Sequence, residues 1–238
     1  KEFDKNMFIG LYFRADTNQA RAFKGGGLSE AMWSKVFAHY FNLIVCREIL
    51  VFLKWHSERN NSDEELSKYS CELIARSLNI SGNIDNQTFL LEIINSKFVE
   101  FQTKINNPKE EIISELSMSG VPMTIVTEHA LLLNQFKNKL FFFLIDEYEN
   151  FEDYQQMVIN SLIKHTTEYY TFKVGVRELG WRIKTTYNTS ELLHDPADYV
   201  LIKIEKELQD KVFSEFAKNV CQPRIISLFS DEAESHTF

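Results

Sequence analysis

The sequence predicts an α/β fold in which a parallel sheet is interrupted by a large helical insertion. Three observations lead there. Short apolar runs at residues 7–14 (MFIGLYFR), 140–145 and 171–176 have the length and composition of strands. In the second half of the chain these runs alternate with helical patterns, which is the arrangement of crossover units in a parallel sheet. Between the first run and the second lie roughly 110 residues of mostly helical pattern, far more than an ordinary connection.

Taken in order, residues 7–14 read as a buried strand and 16–27 as a polar loop that ends in a hinge of three glycines, Gly25, Gly26 and Gly27. A long helix follows over 29–57, with Ser29 placed to cap it and Leu28 and Trp33 spaced as a hydrophobic staple. Trp33, Phe37, Tyr40, Phe41, Ile44 and Ile49 recur at helical spacing, so one face is expected to be buried. Residues 59–63 are a polar linker, and 64–78 and 87–106 are helices separated by a turn at Gly82. Asn107-Pro108-Lys109-Glu110 reads as a helix start with proline in its first turn, and Gly120-Val121-Pro122 as its end. A helix at 128–138 leads into the strand 140–145, itself apolar enough to be covered on both faces. A helix at 152–165, a strand at 171–176, irregular chain, a strand at 199–204 and a helix at 206–220 complete the pattern. The expected organisation is 1–27 as first strand and loop of the core, 28–139 as a helical insertion, 140–220 as the rest of the core, and 221–238 as a tail or the start of a following segment.

Composition narrows the function classes. At 238 residues and 44% hydrophobic, the chain can bury a sizeable core. The net charge of −8 and the pI near 5.4 do not favour general attraction to nucleic acid or anionic membrane, although a local basic patch could contact nucleic acid. Cys46, Cys71 and Cys221 are odd in number and far apart, which fits reduced thiols in a cytoplasmic protein and neither a disulfide framework nor a zinc site. The six histidines lack metal-ligand spacing. No uninterrupted apolar run approaches the ~20 residues of a membrane span, so no membrane association is expected.

The strongest chemical signal is Phe141-Phe142-Phe143-Leu144-Ile145-Asp146-Glu147. An apolar strand that ends in two adjacent acids places them at the carboxyl edge of the sheet, where open α/β sheets bind ligands. In nucleotide hydrolases the first acid of such a pair holds magnesium and the second orients or deprotonates the attacking water. The bland alternative is a strand that ends in solvated charge, continuing into Glu149, Glu152 and Asp153, which suit the first turn of the next helix. One crossover later, Arg177 stands at the tip of a neighbouring strand, where a residue sensing the γ-phosphate would lie. Lys173, Arg182 and Lys184 complete a basic cluster that could face phosphate or simply solvent.

One part of a nucleotide site is missing from the sequence. None of the eight glycines is followed by lysine, so no G-x-x-x-x-G-K-[ST] phosphate-binding loop occurs. Lys24-Gly25-Gly26-Gly27 carries its lysine on the wrong side. The fold class expected is therefore a parallel P-loop NTPase-type sheet, incomplete because its P-loop strand is missing, with a large helical insertion.

The stretch FFFLIDEYENFEDYQQMVINSLIKHT, followed by YTFKVGVRELGWR and YVLIKIE, resembles bacterial ATPases of the origin-recognition-complex-like AAA+/STAND group. The opening IGLYFRADTNQARAF with its glycines and aromatic helix is similar to the second strand and loop of that group. The resemblance implies ATP and Mg2+ as cofactors, Asp146 as the Walker B metal ligand, Glu147 as the catalytic acid and Arg177 in the sensor 1 region. Arg182 is a further candidate for contact with the nucleotide. The chain begins at Lys1, close to a core strand, and the missing strand and loop imply about 40 or more upstream residues in a full protein.

Three functions are carried forward. The first is an ATP-binding and hydrolysing switch within a larger protein or complex, with a homo-oligomer or an effector protein as partner, a bacterial defence role being family analogy. The second is a catalytically inactive scaffold for protein contacts. The third is a metal-dependent nuclease built on Asp146 and Glu147.

Overall fold

The computed structural model describes residues 6–204 and 211–234. Three parallel strands form one sheet in the order β1 (Phe8–Arg14), β2 (Leu140–Asp146), β3 (Tyr170–Val174). The pairing is in register across all three, so Ile9, Phe141 and Tyr170 share a row, as do Leu11, Phe143 and Phe172, and Phe13, Ile145 and Val174. These rows face the helices and are buried or half-buried. The intervening rows, Gly10–Phe142–Thr171 and Tyr12–Leu144–Lys173, lie on the opposite face. There Tyr12 and Lys173 are exposed and Phe142 and Leu144 only half-buried. The expectation that β2 is covered on both faces is corrected: among the described residues, helices cover one face, and the strand alternates as a half-buried one does.

The helices are α1 (Thr17–Arg21), α2 (Glu30–Asn60), α3 (Lys68–Ser77), α4 (Gln87–Asn106), α5 (Val121–Leu131) and α6 (Asp153–Lys164). The insertion between β1 and β2 is thus helical, as the sequence implies. Within it, α2 packs on α4, α5 and α6. Every residue from Val36 to Cys46 is buried, so this stretch of the helix is enclosed on all sides. By length and composition α2 could cross a bilayer, which a search for uninterrupted apolar runs overlooks. However, 78% of its most apolar window is buried inside the protein. Its aromatic side chains anchor the sheet: Phe41 meets Phe13 edge-on at 5.8 Å between centroids, and Phe52 meets Phe141 at 6.4 Å.

The local chemistry of the helix starts is legible. Ser29 Oγ accepts from the Met32 amide at 3.3 Å, and Leu28 and Trp33 are both buried beside it. Gly25, Gly26 and Gly27 all have positive φ, which side-chain-bearing residues rarely adopt in succession. Asp16 accepts from the amides of Asn18 and Gln19, starting α1 where the sequence reading has only a loop.

Several other expectations are corrected. The segment Glu110–Glu115 is a 3-10 turn, not an α-helix. Gly120 and Pro122 begin α5 instead of ending the previous element, because Gly120 takes the left-handed conformation outside the helix and Pro122 fits its first turn. Consequently α5 lies seven residues earlier than the expected start at 128. Residues 199–203 have a strand's composition but form no ladder among the described residues, and Val200, Leu201 and Ile202 are exposed. A strand's amides and carbonyls need a paired neighbour, which composition alone does not supply.

Two compact units divide the chain, residues 1–193 and 194–238. In the second, α7 (Lys211–Glu234) continues through Pro223 where a tail is expected, while the helix start expected at 206 lies outside the described residues.

Candidate functional site

The sheet's carboxyl edge is assembled from loops that follow each strand. Beyond β2, the Ala15 amide donates to Asp146 O at 3.0 Å and the Gly175 amide to Ile145 O at 2.7 Å. The Tyr148 amide then returns to Gly175 O at 3.1 Å. These bonds tie the ends of all three strands together, so the side chains there have fixed roots.

Asp146 and Glu147 both lie on this edge. The Asp146 carboxylate accepts from the Glu147 amide through Oδ1 and from the Tyr12 hydroxyl through Oδ2, each at 2.9 Å. A Cβ at Gly175 would stand 3.0 Å from Asp146 Oδ1, so a side chain there would push the acid aside. Glu147 has φ 54 and ψ 42, a left-handed conformation uncommon in a residue with a side chain. Such backbone is found at functional sites more often than elsewhere. Its carboxylate accepts from the Arg14 guanidinium at 2.7 Å and from Asn150 Nδ2 at 3.1 Å. The Arg14 hydrogen bond holds the Glu147 carboxyl below the ordinary glutamate range, and the same contact raises Arg14. The hydrogen bond to Asp146 raises the Tyr12 phenol.

Arg177 follows β3 and is 83% exposed, with Nε 3.0 Å from Glu149 Oε1. Its amide donates to the other oxygen of Glu149 at 3.3 Å, so the loop after β3 is clipped to the loop after β2. Arg182 is directed to that second loop as well. Its guanidinium donates to Asp153 at 2.7 Å, to Glu149 O at 2.9 Å and to Phe151 O. Lys173 stands over the Phe142 ring at 4.9 Å on the open face of the sheet, and Lys184 over Trp181 at 5.3 Å. The cluster read from the sequence is therefore distributed over three surroundings.

The scaffold beneath is buried and fully hydrogen-bonded. Gln156 and Asn160 of α6, one helical turn apart, are both inaccessible to solvent. Gln156 accepts from the amides of Arg182 and Ile183 and donates to Gly180 O. Asn160 donates to Ile183 O and Thr185 O and accepts from the Tyr148 hydroxyl at 2.9 Å. Burial drives the Tyr148 pKa up, keeping it a neutral donor. In this way α6 fixes both loops that carry the charged residues.

Sequence reasoning missed Tyr12, Arg14 and Asn150. The signal was available for the first two: alternation along β1 puts them on one face, and a parallel neighbour brings its carboxyl end beside the acids. Asn150 depends on a turn whose path no periodicity announces.

The donor set can be tested against a magnesium ion. Among the described residues no three His, Cys, Asp or Glu side chains group as an all-protein metal site would. Magnesium at nucleotide sites asks for less, one or two carboxylates with phosphate and water completing the shell. Asp146, with its orientation set by two donors, fits that requirement. A cleft of about 690 Å3 adjoins the site, lined by Glu149, Asn150, Asp153 and Arg182 but not by Asp146 or Glu147, and one of about 940 Å3 lies away from it.

A parallel sheet whose middle strand ends in an acid pair, flanked by a strand leading to an arginine, is consistent with a P-loop-like fold, and the family match makes the class that of an AAA+ ATPase-type domain. Within that class the chain belongs to the ORC-CDC6-like family, which it matches over residues 1–238. Members of that family typically bind nucleotide with Mg2+. No curated protein and no solved structure gives a significant match.

Proposed function

We propose that the chain forms the metal-side half of an ATP-binding and hydrolysing switch. The observation that carries the reading is the placement of Asp146 and Glu147 on the carboxyl edge of the central strand, with Arg177 following the next strand. When bound, Mg2+ would neutralise charge on the phosphate oxygens. Asp146 is the residue to hold it. Glu147 is the residue to orient the attacking water, and its ionised carboxylate, held by Arg14, is the form able to accept a proton. Arg177 is the exposed cation available for the developing phosphate charge once it exchanges Glu149 for that anion. This reading requires a phosphate-binding loop from elsewhere in the full-length protein, since the motif does not occur in these 238 residues. Work as a switch calls for an effector or further copies of the chain, in a cytoplasmic, bacterial defence setting.

The test is nucleotide binding and turnover by the full-length protein. Wild type is expected to bind ATP with Mg2+ and hydrolyse it. Glu147→Gln should retain binding and lose turnover by at least about 100-fold, the low end for a general base. Asp146→Asn should lose the dependence of binding on Mg2+.

A second reading is a scaffold that keeps the fold without turnover. The pairing of Arg14, Arg177 and Arg182 with acids of the same chain favours it, since each charge already has a partner. Absence of bound nucleotide and of hydrolysis in the full-length protein would establish this alternative.

A further inference from the structure

We propose that Tyr12 is a positioning residue for Asp146, setting the orientation in which that carboxylate meets a divalent cation. The assignment rests on the ATP-switch reading of the acid pair.

The register makes the contact a specific one. Tyr12 is opposite Leu144, and Arg14 is opposite Asp146, so Tyr12 reaches its partner diagonally, two residues along the neighbouring strand. One strand across and two residues along come to about 8 Å at the backbone, a gap that a long aromatic side chain spans and a short hydroxyl residue does not. The phenol arrives at 2.9 Å from Oδ2.

The opposite oxygen is fixed independently. Oδ1 takes the Glu147 amide at 2.9 Å, and the lack of a side chain at Gly175 leaves it just enough room. With one donor on each oxygen the carboxylate plane cannot rotate freely, yet each oxygen keeps a further lone pair. That is the geometry in which partners of a metal ligand set its direction without displacing the metal.

Packing does not explain the tyrosine. It is 60% exposed and stands on the open face of the sheet. Phenylalanine at this position would serve the fold equally well, so the hydroxyl is the informative atom.

The experiment compares wild type with Tyr12→Phe in the full-length protein. ATP binding is titrated by calorimetry across a range of free Mg2+ and again in EDTA, and bound Mn2+ is followed by its paramagnetic resonance. The expected result is a roughly 10–100-fold higher metal midpoint in Tyr12→Phe, the usual cost of losing a partner of a metal ligand, with ATP affinity in EDTA unchanged. In an Asp146→Asn background, Tyr12→Phe should cause no further change. A metal midpoint equal to wild type overturns the assignment. So does equal weakening with and without metal, which marks a structural role. Wild type that binds no ATP under any condition overturns the switch reading, and this assignment with it.

Discussion

The interior of α6 and the sheet's edge ahead of it teach opposite lessons. Toward its interior, Gln156 and Asn160 are inaccessible and every polar atom described there is engaged. Ahead of it, on the sheet's edge, Arg14–Glu147 and Arg177–Glu149 pair charges in contact with water. Breaking a buried network leaves orphaned groups with no solvent to receive them, whereas exposed ion pairs exchange partners at little cost. The molecule therefore separates a rigid foundation from an edge whose contacts can be exchanged. The same contrast recurs in the insertion. There Asn42, wholly buried, donates to Ser117 Oγ and Met118 O and accepts from the Gly120 amide, holding the turn into α5.

Substitutions can break or sharpen this contrast. The largest effect belongs to Asn160→Ala, which removes three hydrogen bonds and strands the carbonyls of Ile183 and Thr185. A loss of about 4 kcal/mol is expected from the usual cost of buried unsatisfied groups, read as a lower midpoint in urea. Asn42→Ala should cost a similar or slightly smaller amount.

Acid should act next. His39 is buried, its Nδ1 accepts from the Ser117 amide at 2.9 Å, and desolvation lowers its pKa from 6.5 to about 4. A base whose folded pKa is depressed is protonated first in the unfolded chain. Its contribution is complete above pH 6.5 and is lost as pH falls toward about 4. The full loss is on the order of 3 kcal/mol. Denaturation midpoints at several pH values should show it, and His39→Asn should flatten that part of the profile.

Gly175→Ala should be milder for the fold, at about 1 kcal/mol for a tight contact that flexible neighbours relieve. Because the added methyl meets Asp146 Oδ1, it should weaken metal-dependent ATP binding more than it lowers the melting temperature. Smallest of all is Arg14→Ala. Its melting temperature should match wild type, while the Glu147 carboxyl returns toward its ordinary titration range, as nuclear magnetic resonance of labelled glutamate can follow. A large drop in melting temperature for Arg14→Ala would erase the distinction between foundation and edge.

Much of this was legible in the chain. The strands β1 to β3, the helix α4 and the cap at Ser29 follow from period and capping chemistry, which act within a few residues. The acid pair was legible for the same reason, since strand and acids are contiguous. Turns and pairings across long separations were not. Gly120-Val121-Pro122 reads equally as a stop or a start, and burial of Asn42 against Gly120 decides it. Alternation along β1 puts Tyr12 and Arg14 on one face, but the acids they meet lie on a strand more than 130 residues away. Arg182 finds its acceptors on the 149–153 loop, a pairing that no local pattern announces.

At 31 residues, α2 is roughly 46 Å long. It meets Phe13 at the carboxyl end of β1 through Phe41 and Phe141 at the amino end of β2 through Phe52, so it runs antiparallel beneath the strands for their whole length. A helix that touches both ends of the sheet couples them mechanically: a shift of α2 along its axis would be felt at Phe13 and at Phe141 together.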